Sequence, residues 1–290
     1  MLNKNALVLF LGLTFGFTIA MAMVARLNDL TLFKAPQLMS QLVVMIAMFI
    51  PAISAIITQV LYLGRPWREL GFKLGPWQMY VKTYLGIVLM YLVNYSFTWL
   101  FVASPDFTLM SFMSQFGNSL VLPFSALKMI SLLGVITFFL APIINMIPSL
   151  GEEIGWRGFL LPQFEPLGRL KAMIYSSMIW ALWHTPLIVI LGFGYGQDYL
   201  MGVVLHFITV TGFGIWMAYV WFKTRSTVLS AFMHATFNAN AYGVWVVLFV
   251  GAGPLLIGPI GVIGAAISLI VGLIGIYLFQ SKAKAGTMKV

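Results

Sequence analysis

Two adjacent carboxylates and an arginine, Glu152, Glu153 and Arg157, stand in the stretch Ser149-Leu-Gly-Glu-Glu-Ile-Gly-Trp-Arg-Gly-Phe159 of a chain with only 8% charged residues. Of the seven acidic residues, Asp29, Glu69, Asp106, Glu165 and Asp198 fall in short segments that read as loops or interfacial turns. Glu152 and Glu153 instead follow directly on the apolar run from Ile130 to Ile147. A charge at that depth costs roughly 2.5–3.5 kcal/mol on insertion scales, so it is kept where it faces a protein interior and has work to do. On a helix Glu153 and Arg157 are four apart and pair on one face, while Glu152 points about 100° away. One carboxylate is expected to be held and the other to be available. The same letters also fit a bland reading: Ser149 three residues before Glu152, with Pro148 ahead of it, matches a capping box at a helix start.

The chain has three histidines. His184, in Trp180-Ala-Leu-Trp-His-Thr-Pro, falls about 12 residues into an apolar run, or ~18 Å at 1.5 Å per residue. His234 and Asn238 fall about 8 and 12 residues into another, roughly 12 and 18 Å deep, and project from one helix face. Singly, an intramembrane histidine or asparagine is most often a helix-to-helix hydrogen-bonding group. A common depth on the side where Glu152 and Glu153 enter is what makes them candidates for one cavity. His206 enters its run near the opposite end and is expected to lie away from the cluster, so that His206→Ala should be nearly neutral.

The elements that must position these groups are membrane helices. The 290 residues are 61% hydrophobic with a mean hydropathy of +0.99, well beyond a soluble domain. The apolar stretches run to about 20 residues without the alternation of barrel strands, which predicts an all-α polytopic bundle of about eight transmembrane helices. The expected spans are 7–25, 42–63, 83–103, 128–148, 172–191, 199–222, 226–250 and 255–279, in a single membrane-embedded domain over 1–290 whose motif-bearing core is about 128–250. Residues 104–123 read as an interfacial excursion. The carboxylate stretch either continues the fourth span or restarts after a kink at Pro142 or Pro148. With no cysteine, disulfides, thiol catalysis and cysteine metal sites are excluded. The net charge of +9 is scattered over loops and reads as a topology signal, with no nucleic-acid partner implied.

Glu152-Glu153-x-x-x-Arg157, then Trp180-x-x-x-His184, then His234-x-x-x-Asn238 resembles, in order and approximate spacing, the CAAX protease and bacteriocin-processing (Abi) family, which includes the type II CAAX prenyl endopeptidases. Trp180 stands where the family usually has phenylalanine. The resemblance implies an intramembrane glutamate endopeptidase acting on a membrane-associated peptide or protein substrate near the cytoplasmic leaflet. Glu152 would be the general base, His184 its partner on the water, His234 and Asn238 the oxyanion donors, and Glu153 with Arg157 the supporting pair. Two other classes compete: a bacteriocin-immunity or peptide-binding membrane protein without activity, and a proton-coupled transporter. The one-sided clustering of the polar groups speaks against transport. No cofactor is expected. Two histidines and two carboxylates offer ligands for zinc, but the helical signature of two histidines four apart beside a glutamate is absent, since Asn238 stands four after His234.

An even number of spans puts both termini and the loops after spans two, four and six on one side. That side carries 13 of the 16 basic residues and the other only Arg26, Lys34 and Lys128, which predicts cytoplasmic termini; the family resemblance implies a bacterial or archaeal cell membrane. Single cysteines at positions 4, 169 and 284 of this cysteine-free chain should therefore resist an impermeant thiol reagent in intact cells. Labelling at 169 but not at 4 would move the carboxylates to the other side.

Overall fold

The computed structural model describes residues 2–32, 38–115, 124–251 and 253–284. Lys34, Lys289 and the 116–123 part of the expected excursion lie outside them. The protein is 80% helical, with no strand among the described residues. The helices are α1 Lys4–Leu27, α2 Leu38–Ile56, α3 Trp77–Phe101, α4 Met110–Ser114, α5 Ala126–Val135, α6 Ala141–Ile144, α7 Met146–Glu153, α8 Leu161–Phe164, α9 Arg169–Trp183, α10 Thr185–Leu191, α11 Tyr199–Thr224, α12 Thr227–Ala241, α13 Val244–Leu248 and α14 Val262–Lys284. π-Helical turns at Ile57–Tyr62, Ile136–Leu140 and Ile154–Leu160 join several of them into longer rods.

Seven helical stretches are long and apolar enough to cross a membrane: Lys4–Leu27, Leu42–Tyr62, Trp77–Phe101, Ala126–Ile144, Arg169–Leu191, Tyr199–Thr224 and Val262–Ala283. The expected span over 226–250 is instead α12, of 15 residues, followed by the five-residue α13. The break at Gly243 has a local cause. The Val244 amide leaves the helix ladder to bond Thr137 Oγ1 at 2.8 Å, and a Cβ on Gly243 would lie 2.4 Å from that hydroxyl. In the excursion, the Asp106 carboxylate accepts from the amides of Thr108 and Ser111 and so closes the turn into α4.

The carboxylate helix restarts at Met146, after a turn at Asn145, with Pro148 inside its first turn. Ser149 is not a cap: it lies within α7 and its buried Oγ has no partner among the described residues. From Gly151 to Leu161 every residue is buried. This rod packs between α2 and α12, while α11 runs along both α9 and α14 and α1 lies on α2 and α10. The close approach to α2 depends on glycines four apart, the small-residue spacing that lets membrane helices meet backbone to backbone. A Cβ on Gly151 would lie 2.7 Å from the Met48 carbonyl oxygen, and one on Gly155 would lie 2.4 Å from Pro51 Cβ. Pro51 remains inside α2 at that contact.

At one end of the bundle Glu165 joins two elements. Arg225 reaches it with both terminal nitrogens, at 2.8 and 2.6 Å, and Arg169 Nε donates at 2.9 Å. The Arg225 guanidinium also lies 4.7 Å over the Trp221 ring. Hydrogen bonds from Arg225 and then from Arg169, acting against partial burial, hold the Glu165 carboxyl below its ordinary value of 4.5.

Two outcomes are expected. Gly155→Ala should lower the thermal midpoint in detergent, by the equivalent of about 1–3 kcal/mol, because the extra methyl has backbone rather than a flexible side chain to displace; an unchanged midpoint would contradict the close contact. For Glu165, a depressed carboxyl contributes stability that is present above pH 4.5 and lost as pH falls through the lower folded value. The midpoint difference between the parent and Glu165→Gln should be largest near neutrality and shrink below pH 4.5.

Candidate active site

Five of the polar residues of the motifs are buried: Glu152 is 3% exposed, Glu153 0%, Arg157 2%, His184 8% and His234 4%. The fold brings them around one indole. Trp180 donates from Nε1 to Glu152 Oε2 at 2.8 Å, carries the Arg157 guanidinium 4.2 Å over its ring, and has the His234 ring at 5.2 Å and the His184 ring at 5.9 Å. The residue that departs from the usual phenylalanine is thus the hub, and the departure supplies a hydrogen bond that phenylalanine lacks.

Glu152 is more firmly held than its letters indicate. Its Oε2 accepts a second indole N–H, from Trp156 at 3.2 Å. Trp156 is four residues on, on the same helix face, and is fixed by edge contacts with Phe10 of α1 and Trp183 of α9. Trp183 donates to Thr18 Oγ1 at 2.7 Å, so α1 backs the site from behind. Oε1 of Glu152 makes no hydrogen bond among the described residues. Trp156 is the site residue that the motif letters do not name. The i, i+4 spacing from Glu152 to Trp156 was the available signal.

Glu153 forms its expected pair with Arg157, Nη1 to Oε1 at 2.9 Å, and the same oxygen faces His234 Nδ1, also at 2.9 Å. The pair therefore reaches beyond its own helix to α12. Arg157 Nη2 donates more weakly to the Gly214 carbonyl of α11 at 3.4 Å. The α12 helix is set in place at its start, where Ser226 Oγ accepts from the Leu229 amide and donates to the Lys73 carbonyl, and Thr227 Oγ1 donates to the Leu70 carbonyl at 2.8 Å. Asn238, one turn past His234, is partly exposed, and its amide has no hydrogen bond among the described residues.

His184 owes its pose to the proline two residues on. Pro186 cannot donate to the Leu182 carbonyl, and the helix ends at Trp183. The His184 amide turns to Ala181 at 3.2 Å, which leaves the Trp180 carbonyl to accept from the imidazole Nδ1 at 2.9 Å. A carbonyl only accepts, so Nδ1 carries the proton and Nε2 presents its lone pair.

His206 is not remote. Its ring lies 4.5 Å from that of His184, against the expectation that depth would separate them. Counted from the observed helix ends, His184 is 15 residues past Arg169 and His206 18 residues before Thr224. At 1.5 Å per residue those depths differ by only about 5 Å, roughly the size of an imidazole. The expected ends at Ala172 and Phe222 already give depths of 12 and 16 residues, about 6 Å apart in height, so depth never separated the two rings.

A catalytic hydrolase needs a base, a held water and oxyanion donors, and the cluster contains side chains of each kind. Residues 127–240 match the family model described as Type II CAAX prenyl endopeptidase Rce1-like. A comparison with curated proteins found no match. The matched stretch opens at the start of α5, closes near the end of α12, and contains all seven motif residues from Glu152 to Asn238. Over residues 127–240 this integral membrane protein therefore matches an Rce1-like type II CAAX prenyl endopeptidase domain, in agreement with the family that its three motifs resemble.

Proposed function

We propose that the protein is an intramembrane endopeptidase that hydrolyses a peptide bond of a membrane-associated peptide or protein near the cytoplasmic leaflet, with Glu152 as general base. The observation that carries this reading is the buried Glu152 carboxylate, one oxygen tied by two indoles and the other open, beside two imidazoles. In the reaction Glu152 takes a proton from water held by His184 Nε2 as the water oxygen attacks the scissile carbonyl carbon. The oxyanion that forms is met by His234 and Asn238. In this role His234 donates from Nε2–H to the oxyanion while its Nδ1 faces the Glu153 carboxylate. Collapse breaks the C–N bond, and the proton on Glu152 passes to the leaving amine. CAAX-type processing of a C-terminal tail is the substrate class that the family suggests.

Metal-free chemistry is part of the proposal. Glu153 and His234 engage each other rather than a shared centre, and no three of His, Cys, Asp or Glu among the described residues converge as a ligand set. The immunity-protein and transporter readings lack a comparable supporting feature.

The test is cleavage by purified protein in vesicles of a lipid-anchored, internally quenched peptide library. Glu152→Gln, His184→Ala and His234→Ala should each lower kcat by ~10²-fold or more without unfolding the protein. Arg157→Ala should also lower stability, since it strips a buried carboxylate of its cation. Equal turnover by the parent and Glu152→Gln would sink the glutamate mechanism. Stoichiometric zinc by elemental analysis, with activity lost on chelation and regained on its return, would sink the metal-free one.

A further inference from the structure

His206 stands in surroundings that packing alone does not account for. It is 5% exposed, with the His184 ring at 4.5 Å, Phe193 at 6.0 Å and Tyr195 at 6.1 Å. Neither of its ring nitrogens has a hydrogen-bond partner among the described residues. A buried polar group left in that condition costs about 1–3 kcal/mol, and a phenylalanine would fill the same aromatic nest without that cost. An imidazole that keeps both nitrogens unmatched beside a site histidine is suited to a small polar guest.

The neighbouring hydrogen-bond roles say which guest. Neutral imidazole has one donor and one acceptor nitrogen. On His184 the donor is engaged by the Trp180 carbonyl, so the neutral ring, 4.5 Å from that of His206, has only a lone pair left to offer. A donor is therefore lacking on that side, and His206 N–H can supply it.

Resting on the endopeptidase reading above, we propose that His206 is a second imidazole on the hydrolytic water and thus a further catalytic residue. The water donates one O–H to Glu152 and the other to His184 Nε2. It accepts the His206 N–H on one lone pair, and its remaining lone pair is aimed at the scissile carbonyl carbon. As the C–O bond forms, the carbonyl π pair moves to oxygen and the first water proton moves to Glu152. When the C–N bond breaks, that proton leaves with the amine. His206 neither gains nor loses a proton. It fixes the orientation of the nucleophile, so its loss should fall on kcat rather than on KM.

The experiment compares the parent with His206→Phe, His206→Leu and His206→Gln, with Glu152→Gln as the inactive control. Each is assayed in vesicles on the best-cleaved member of the peptide library, and thermal midpoints are measured in parallel. His206→Phe should have a midpoint equal to or above that of the parent, a kcat at least about 10-fold lower and a KM within about twofold. His206→Gln, which keeps a donor, should recover part of the kcat. Should His206→Phe fail to fold, His206→Leu carries the same comparison. Parental kcat in the folded apolar variant would overturn the proposal and leave His206 as packing. If the parent and Glu152→Gln are equally inactive, the endopeptidase reading fails first and this inference falls with it, whereas a live parent with a fully active His206→Phe overturns this inference alone.

Discussion

Holding a carboxylate inside an apolar bundle is the constraint on which the rest of this structure depends. Glu153 is 0% exposed, and a lone charge there would be costly enough to expel the helix from the core or to force neutralisation. Arg157 and His234 both converge on its Oε1. One of these partners comes from the same rod and the other from α12, so satisfying the charge also fixes the distance between two helices. Arg157 in turn lies on Trp180, whose indole holds Glu152. A single electrostatic requirement thereby sets the positions of the groups in the site.

Backbone contacts make that arrangement possible. The carboxylate rod lies where glycine leaves room for α2, at Gly151 against Met48 and Gly155 against Pro51. The buried stretch from Gly151 to Leu161 excludes lipid from the polar groups. Aromatic rings then do the work that water would do elsewhere. Trp156 and Trp180 supply N–H donors to a carboxylate without adding charge, and Trp183 ties the back of the site to α1 through Thr18. In a low-dielectric interior such donors are worth more than at a surface, and fully satisfied they specify one geometry.

The two carboxylates are next to each other in the chain and differ in their partners. Adjacent helix positions diverge by about 100°, so Glu153 meets Arg157 and His234 while Glu152 meets indoles. In the proposed mechanism Glu153 is structural and Glu152 reactive.

Composition and spacing by themselves determined that the protein is a helical membrane bundle, because a run of about 20 apolar residues has no other stable conformation in lipid. Spacing also determined the Glu153–Arg157 pair, since residues four apart on a helix must face each other. Three further matters were decided only by tertiary packing. Ser149 and Glu152 have the letters of a cap, but the helix begins at Met146 and neither side chain serves that end. The 226–250 run is apolar enough to read as one span, yet Thr137 from another helix captures the Val244 amide and breaks it at Gly243. His206 and His184 are 22 residues apart and enter from opposite ends of their helices, and whether their rings meet depends on helix ends and relative heights that differ by a few ångströms. Contacts within a helix follow from chain spacing alone. Contacts between helices depend on where each helix stops, which is set by neighbours that the sequence does not place side by side.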